Sequence, residues 1–267
     1  MTKFLYPNRN IKIYKSTKEN QLIKNHEQIV EKINEKLKWI FKENYQDIDF
    51  AVAGSFAINS IFYPGKEYAD IDIYPKSKLD YMKFKEILRE TNSFETENAL
   101  SCMHMDDSGR IKFQIVKTEF SNLQDLFSNF DFTISCCAYY KSDLYMTNEC
   151  LRNISRNELS MNQKNFDKSN LDVDTQMYQV HTLFSRITKY TDRYELGVGK
   201  NVYKLLREIK NNVDQKHFKI QRNEASITNS SGEVEFADID LDMWSVVKHI
   251  LLDEMNPYKR EFEEYLT

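Results

Sequence analysis

Apolar residues recur three or four positions apart from residue 18 to residue 44, a spacing that predicts an amphipathic helix. A short apolar run follows at residues 50–53 and predicts a buried strand, which Gly54 closes with a sharp turn. Ser55 stands where a helix N-cap belongs, ahead of a short apolar helix through residue 62. Residues 69–74 then alternate as a second strand, so this part of the chain reads helix, strand, helix, strand.

The rest of the chain divides into a strand-rich part and a helical part. Alternating or apolar segments predict further strands at residues 11–14, 96–105, 110–117, 132–140 and 144–147, and the segment 132–140 is apolar enough to lie in the middle of a sheet. Helical spacing predicts helices at residues 79–90, 123–130, 174–194, 202–212, 243–252 and 258–266. Residues 224–240 are acidic and polar and predict a loop or an irregular hairpin.

A polar stretch at residues 151–172 is the best candidate for a domain boundary. We therefore predict an α+β protein with a mixed β-sheet core flanked by helices over residues 1–150. A smaller, mainly helical C-terminal lobe is predicted over residues 151–267.

Composition excludes some classes of function. The formal net charge of −4 argues against a broadly basic nucleic-acid surface, so any RNA contact would be a local patch of Lys and Arg. The four cysteines form no Cys-x-x-Cys pair and have no zinc-ligand spacing, which favours buried thiols. The N-terminus does not resemble a signal peptide and no apolar segment reaches 18 residues, so we expect a cytoplasmic protein without a membrane partner.

The candidate chemistry lies in the strand at residues 69–74. Asp70 and Asp72 are two positions apart and share one face of the strand, while Ile71 and Ile73 point to the other. Two adjacent carboxylates repel unless a cation lies between them, and Mg²⁺ prefers such oxygen ligands. The Gly54–Ser55 turn at a helix N-terminus offers backbone N–H groups to phosphates. The alternative is a surface strand with two solvated aspartates after an ordinary turn.

The Gly54–Ser55 turn followed by Asp70-Ile71-Asp72 resembles the signature of the DNA polymerase beta-like nucleotidyltransferase superfamily, in which phage and host-encoded members occur. The resemblance implies a nucleotidyltransferase core that transfers a nucleoside monophosphate from an NTP such as ATP to an acceptor hydroxyl. It implies two Mg²⁺ or Mn²⁺ ions at the aspartates and triphosphate binding at Gly54 and Ser55. The acceptor is expected to be RNA with a tRNA-type 3′ end or a protein; a small molecule and another nucleotide are the alternatives.

The sequence departs from this signature at the third metal-binding carboxylate. The resemblance places that residue in the centre of the strand at 110–117, where this chain has Gln114 between two apolar residues. Glutamine is an uncharged and poor ligand for a hard cation. Asp131, which precedes the apolar segment 132–140, is our predicted third catalytic and metal-binding residue. A capping or turn role at that junction is the alternative.

A second group of candidate residues lies on the helix predicted at 174–194. Arg186, Lys189, Tyr190 and Arg193 are related by three, four and seven positions and share one helix face. Such a face suits phosphate oxygens and a stacked base, so we predict that it binds nucleotide. The alternative is a solvated basic face. Without a third carboxylate, the whole chain could be an inactive nucleotidyltransferase-fold protein that binds nucleotide or RNA as an adaptor or inhibitor.

Overall fold

A computed structural model describes residues 11–42, 44–66, 68, 70–89, 91–106, 109–162, 173–205, 222–228 and 234–240. The described residues fall into two compact units. The core unit contains residues 11–156 and 162, and the second unit contains residues 157–161 and those described from residue 173 onward.

The core unit is built on one mixed sheet of eight strands. The strands are β1 (Ile13–Ser16), β2 (Phe50–Ala53), β3 (Asp70–Pro75), β4 (Ser93–Glu95), β5 (Ala99–Asp106), β6 (Gly109–Val116), β7 (Cys137–Tyr140) and β8 (Asp143–Thr147). Their order across the sheet is β1-β8-β7-β2-β3-β6-β5-β4. Only the pair β3–β6 is parallel, and this pairing brings two distant segments of sequence side by side.

Among the described residues of the core unit, five α-helices accompany this sheet: α1 (His26–Phe41), α2 (Gly54–Phe62), α3 (Lys78–Ile87), α4 (Leu123–Ser128) and α5 (Asn148–Ser155). Ile33, Leu37 and Phe41 form the buried face of α1, as the helical spacing predicts. The ring of Phe84 on α3 lies 5.0 Å from that of Phe41 and 5.3 Å from that of Phe50 on β2, measured between centroids. These aromatic contacts fix α1 and α3 against the strand that leads to Gly54.

The central strands differ in burial as their sequences predict. Every residue of β2 is buried, because this strand is apolar throughout and has α2 as a neighbour. Along β3, Ile71 and Ile73 are fully buried while Asp70 and Asp72 are only partly covered. The alternation places the two carboxylates on one face of the middle of the sheet.

Several predicted boundaries are corrected by the structure. The first helix begins at His26, because residues 18–25 form turns and bends instead of continuing the helix. The apolar segment at 132–140 is a strand only from Cys137, since Thr133–Ser135 form a 3-10 turn. Helix α5 lies across the predicted start of the polar boundary, and the edge strand β4 was missed since its three residues are all exposed.

The second unit contains α6 (Val173–Tyr194), the parallel pair β9 (Glu158–Leu159) and β10 (Gly197–Val198), and helical residues 200–205. The predicted helix at 174–194 is confirmed. Residues 224–240, predicted as a loop or irregular hairpin, include most of two regularly paired antiparallel strands, β11 (Arg222–Thr228) and β12 (Val234–Asp240). The helices predicted at 243–252 and 258–266 lie outside the described residues.

The described elements confirm the predicted α+β class with a large mixed sheet. All four cysteines are buried thiols, and burial raises the pKa of Cys136 and Cys150 well above the ordinary thiol value. Among the helices that the structure describes, none combines the length and the apolar character needed to cross a membrane.

The edge strand β4 is tied to its neighbours through Glu95. Its carboxylate accepts hydrogen bonds from Lys85 (2.6 Å) and Tyr81 (2.9 Å) and lies 3.0 Å from the ammonium of Lys117. The hydrogen bonds from Lys85, Lys117 and Tyr81 lower the pKa of Glu95 from 4.5 to about 2. The ionised form is therefore the one that the folded state favours.

We expect Glu95→Gln to lower the free energy of unfolding at pH 7. Because the pKa of Glu95 is depressed on folding, its contribution is present above pH 4.5 and is lost as the pH falls toward about 2. Urea unfolding of wild type and Glu95→Gln at pH 7 and pH 3 should give curves that converge at the lower pH. Glu97→Gln is the control, because Glu97 is an exposed acid in the turn between β4 and β5. If wild type and Glu95→Gln differ in free energy of unfolding by the same amount at both pH values, the lowered pKa of Glu95 is contradicted.

Candidate functional site

The Asp70–Asp72 pair lies between β2 and β6. Asp72 is opposite Ala53 in the antiparallel register with β2 and opposite Gln114 in the parallel register with β6. Asp70 is opposite Lys112 in the same parallel register. Asp70 and Asp72 therefore lie beside Lys112 and Gln114 in the sheet, although about 40 positions of sequence separate the two pairs.

Gly54 lets the carboxylate of Asp72 approach the N-terminus of α2. Its φ of +74° lies in the left-handed region that favours glycine. A Cβ built on Gly54 would lie 2.4 Å from Oδ2 of Asp72, far inside van der Waals contact. The position thus requires glycine twice, for its backbone angle and for the space that Asp72 occupies. The positive end of the helix dipole favours a negative charge at this place.

Ser55 acts on the other carboxylate. The structure corrects its predicted role, because α2 begins at Gly54, two residues earlier than an N-cap at Ser55 implies, with Ala53 at the N-cap position and no side-chain cap. The buried Ser55 hydroxyl lies 3.4 Å from both Oδ1 and the backbone oxygen of Asp70. Ser55 therefore helps to orient Asp70 instead of closing the first turn of the helix.

Gln114 joins the two aspartates. Its amide has the carboxylates on one side and two donors on the other, so we assign Nε2 to the carboxylate side, the orientation in which all four neighbours form hydrogen bonds. Nε2 donates to Oδ2 of Asp70 and to Oδ1 of Asp72, each at 3.1 Å. Oε1 accepts from Oγ of Ser101 at 3.2 Å and from Nζ of Lys112 at 2.8 Å. The amide therefore lies where the two carboxylates converge.

Lys112 and Ser101 are site residues that the sequence reasoning missed. Lys112 lies on β6, which is next to β3, and Ser101 lies on β5, on the far side of β6. Ser101 is opposite Gln114 in the antiparallel register of β5 and β6. The alternation of β6 does place Lys112 and Gln114 on one face, away from Ile111 and Phe113. That signal becomes useful only once β6 is known to lie beside β3.

The pair and Gln114 fit one divalent cation. The two carboxylates already converge on a single hydrogen-bond donor, and the Gln114 amide could present its oxygen at the same place. Oxygen atoms of this kind are the ligands that Mg²⁺ and Mn²⁺ take. Within the described part of the chain, no group of three or more His, Cys, Asp and Glu side chains could hold a metal ion.

Asp131 lies at a bend after α4. Phe130, just before it, packs on Tyr74 with ring centroids 5.7 Å apart, and Tyr74 follows Asp72 on the same face of β3. The backbone oxygen of Asp131 accepts a hydrogen bond from the backbone N–H of Asn162 at 2.7 Å. The described residues do not bring Asp131 into a three-acid cluster with Asp70 and Asp72. Its role as the third ligand stays a prediction without support from this placement.

The predicted nucleotide-binding residues of α6 belong to the second unit. Ile187 and Thr191 form part of the buried side of α6, and Arg186 and Lys189 are exposed. Tyr190 and Arg193 are partly covered, and the ring of Tyr190 lies 5.9 Å from that of Tyr194. The four residues thus share one accessible helix face, as their spacing predicts; their function stays a prediction.

The core unit is a mixed sheet in which the Gly-Ser turn and the Asp-x-Asp strand meet at the N-terminus of a short helix. The sequence model of the Gabija anti-defense 2 family matches residues 24–157, which contain α1 to α5 and every residue of this site. The chain belongs to the Gabija anti-defense 2 family. No curated protein matches the sequence.

Solved structures of CCA-adding enzymes are similar to the chain at low identity. The Thermotoga maritima CCA-adding enzyme complexed with tRNA has a TM-score of 0.48 and 14% identity, over 90% of this chain and 53% of that enzyme. A CCA-adding enzyme in apo form I has a TM-score of 0.46 and 15% identity, over 68% and 43%. A complex with ATP has a TM-score of 0.45 and 14% identity, over 88% and 66%. The chain spans about half the length of the first two.

Proposed function

We propose that this protein is a metal-dependent nucleotidyltransferase. It transfers a nucleoside monophosphate from an NTP to an acceptor hydroxyl, on RNA with a tRNA-type 3′ end or on a protein. Because the family is named for anti-defense against Gabija, we propose that this transfer serves to counteract that defence. A reaction that consumes NTPs agrees with the predicted cytoplasmic location.

One observation carries the proposal: two carboxylates converge at the N-terminus of α2, on a glycine that leaves room for one of them. Ordinary surface aspartates on a strand would not need a glycine where a Cβ would lie 2.4 Å from a carboxylate oxygen, or a shared hydrogen-bond donor. Converging carboxylates beside the first N–H groups of a helix provide for a cation and for phosphate oxygens together. This combination is what nucleotidyl transfer requires.

In the proposed reaction the acceptor oxygen bonds to the α-phosphorus of the NTP as the bond to the bridging oxygen breaks. Pyrophosphate leaves with that electron pair, and the acceptor proton passes to solvent. Asp70 and Asp72 would hold Mg²⁺ or Mn²⁺, which supplies charge neutralisation and acidifies the bound hydroxyl. Gly54 and Ser55 would bind phosphate oxygens through backbone N–H groups, and Ser55 keeps Asp70 in position.

The acceptor is identified by crossing labelled substrates with candidate acceptors. Each of the four NTPs, labelled at the α-phosphate, is incubated with the protein, Mg²⁺ or Mn²⁺, and either total RNA or total protein from a bacterial lysate. We expect label on either RNA or protein. Ribonuclease should remove it if the acceptor is RNA, and protease should remove it if the acceptor is a protein. Absence of label on both classes under all conditions would contradict it.

We propose that the cationic face of α6 contributes to nucleotide binding. Arg186→Ala and Lys189→Ala should each weaken NTP affinity about 10- to 100-fold, because each removes a charge-assisted contact of roughly 1.5–3 kcal/mol. The melting temperature should change little, since both side chains are exposed. Tyr190→Ala and Arg193→Ala test the stacking and phosphate contacts in the same titration.

Titration calorimetry with a non-hydrolysable ATP analogue measures these affinities. Lys200→Ala is the control, because Lys200 is an exposed lysine of the same unit outside α6. If Arg186→Ala and Lys189→Ala both bind the analogue as tightly as the control, this face of α6 does not bind nucleotide and is only a solvated basic surface.

A second candidate function is nucleotide or RNA binding without transfer. The observation that favours it is Gln114, which occupies the place opposite Asp72 with an uncharged amide and hydrogen-bonds both carboxylates. A protein of this kind would bind NTP with the affinity expected here but release no pyrophosphate. The same labelled NTPs distinguish the two functions, because binding without transfer leaves the α-phosphate on the nucleotide.

A further inference from the structure

We propose that Gln114 and Lys112 form an internal substitute for the cation, and that this substitute must be displaced before Asp70 and Asp72 can bind metal. The inference rests on the proposed function and concerns the regulation of the same site. In the metal-free state the amide of Gln114 neutralises the pair by hydrogen bonding. Lys112 holds the amide in that orientation.

The hydrogen bonds around Gln114 account for every polar atom of its amide. Its two N–H donors each have a carboxylate oxygen at 3.1 Å, and its oxygen has two donors, at 2.8 Å and 3.2 Å. Glutamine can make two donor and two acceptor bonds, so the amide is satisfied in this orientation. Ser101, which supplies one of the donors, is 1% exposed and held within β5.

Strand register fixes these partners. The parallel pairing of β3 and β6 sets Lys112 opposite Asp70 and Gln114 opposite Asp72. The antiparallel pairing of β5 and β6 sets Ser101 opposite Gln114. A shift of any one of these strands would separate the group and would also turn that strand's buried apolar side chains away from the core, so the cluster is held by the register of the sheet.

Lys112 acts on the carboxylates through the amide. Its ammonium donates to the amide oxygen, which polarises the amide and strengthens the N–H groups that face Asp70 and Asp72. Charge-assisted hydrogen bonds are stronger than neutral ones, and here they form at both ends of one amide. The positive charge of Lys112 thus offsets the repulsion between the two aspartates without direct contact.

Metal binding needs the opposite orientation of the same amide. A half-turn about the last side-chain bond of Gln114 would present Oε1 to the carboxylates and create a donor set of three oxygens. Nε2 would then face Ser101, whose hydroxyl can accept a hydrogen bond. It would also face the ammonium of Lys112, and two donors cannot bond to each other. Lys112 must therefore leave, which its partly exposed position permits.

The residue at position 112 should set metal affinity. Lys112→Met removes the hydrogen bond that holds the Gln114 amide in its orientation and also removes a positive charge near the site. Mn²⁺ should therefore bind about tenfold more tightly than in wild type. Gln114→Asp replaces the amide by a third carboxylate. The Gln114→Asp protein should have a lower melting temperature than wild type in EDTA and the largest rise on adding Mn²⁺.

The experiment is a Mn²⁺ titration of nucleotide-free protein, followed by the electron paramagnetic resonance of free Mn²⁺ and by melting temperature. Wild type, Lys112→Met and Gln114→Asp are compared with Lys32→Met, which removes an equal charge from the exposed side of α1 and should behave as wild type. Equal Mn²⁺ affinities in wild type and Lys112→Met would overturn the inference, even if Gln114→Asp does not fold.

The outcomes separate this inference from the proposed function. If Lys112→Met matches wild type while wild type transfers nucleotide in Mn²⁺, the inference fails and the proposed function stands. If neither wild type, Lys112→Met nor Gln114→Asp takes up Mn²⁺ and no NTP is consumed, both fail. Tighter binding in Lys112→Met, with an unchanged Lys32→Met control, supports the inference whatever the acceptor is.

Discussion

Asp70→Asn and Asp72→Asn should each reduce nucleotidyl transfer about 100-fold or more while the protein stays folded. Each substitution removes one of the two charges that would hold the cation, and loss of one electrostatic group in an active site has effects of this size. Stability should be unchanged or slightly increased, because the substitution removes the repulsion between neighbouring carboxylates. The oxygen of an asparagine can still accept the hydrogen bond from Gln114.

The measurement is the rate of label transfer from the reactive NTP, together with urea unfolding of the same preparations. Asp47→Asn is the matched control: it removes one exposed acid just before β2, in the same unit, and should leave the rate unchanged. Transfer at near wild-type rate in either Asp70→Asn or Asp72→Asn would exclude the pair from a metal-dependent reaction.

Gly54→Ala should impair both stability and activity. A residue with a side chain at φ +74° loses roughly 1–2 kcal/mol from its backbone angle alone. The added Cβ would also overlap Oδ2 of Asp72, so the carboxylate or the helix start must shift. A displacement of about 1 Å in a reacting group can lower a rate about 100-fold.

Gly65→Ala separates the two effects. Gly65 has a φ of +98°, but a Cβ there would meet no atom of the described residues within 4 Å. Urea unfolding should show a loss of stability in both variants that is larger for Gly54→Ala, and only Gly54→Ala should lose transfer activity. If Gly54→Ala and Gly65→Ala lose the same stability and Gly54→Ala keeps full activity, the close approach of Gly54 to Asp72 is not needed for function.

The sequence predicted the centre of the fold because that part depends on local patterns. An apolar run ended by Gly54 and an alternating strand with Asp70 and Asp72 define β2, α2 and β3 without knowledge of their neighbours. The buried and exposed sides of α6 also follow from spacing alone.

What the sequence could not predict depends on pairing between distant strands. Lys112 and Ser101 join the site only because β6 is parallel to β3 and antiparallel to β5. The N-cap assigned to Ser55 was wrong because α2 already begins at Gly54, two residues earlier than that assignment implies, and an apolar pattern does not mark the first residue of a helix. The apolar segment at 132–140 was predicted as one strand, because an apolar pattern does not distinguish a 3-10 turn at its start from a strand.

Pyrophosphate release by the wild-type protein tests the central claim most directly. Each of the four NTPs is incubated with the protein, total RNA and total protein, with Mg²⁺, with Mn²⁺ or with EDTA. A metal-dependent nucleotidyltransferase should release pyrophosphate from at least one NTP with either metal and none with EDTA. Binding of NTP without pyrophosphate release under any of these conditions would contradict the claim and leave a nucleotide-binding protein of the same fold.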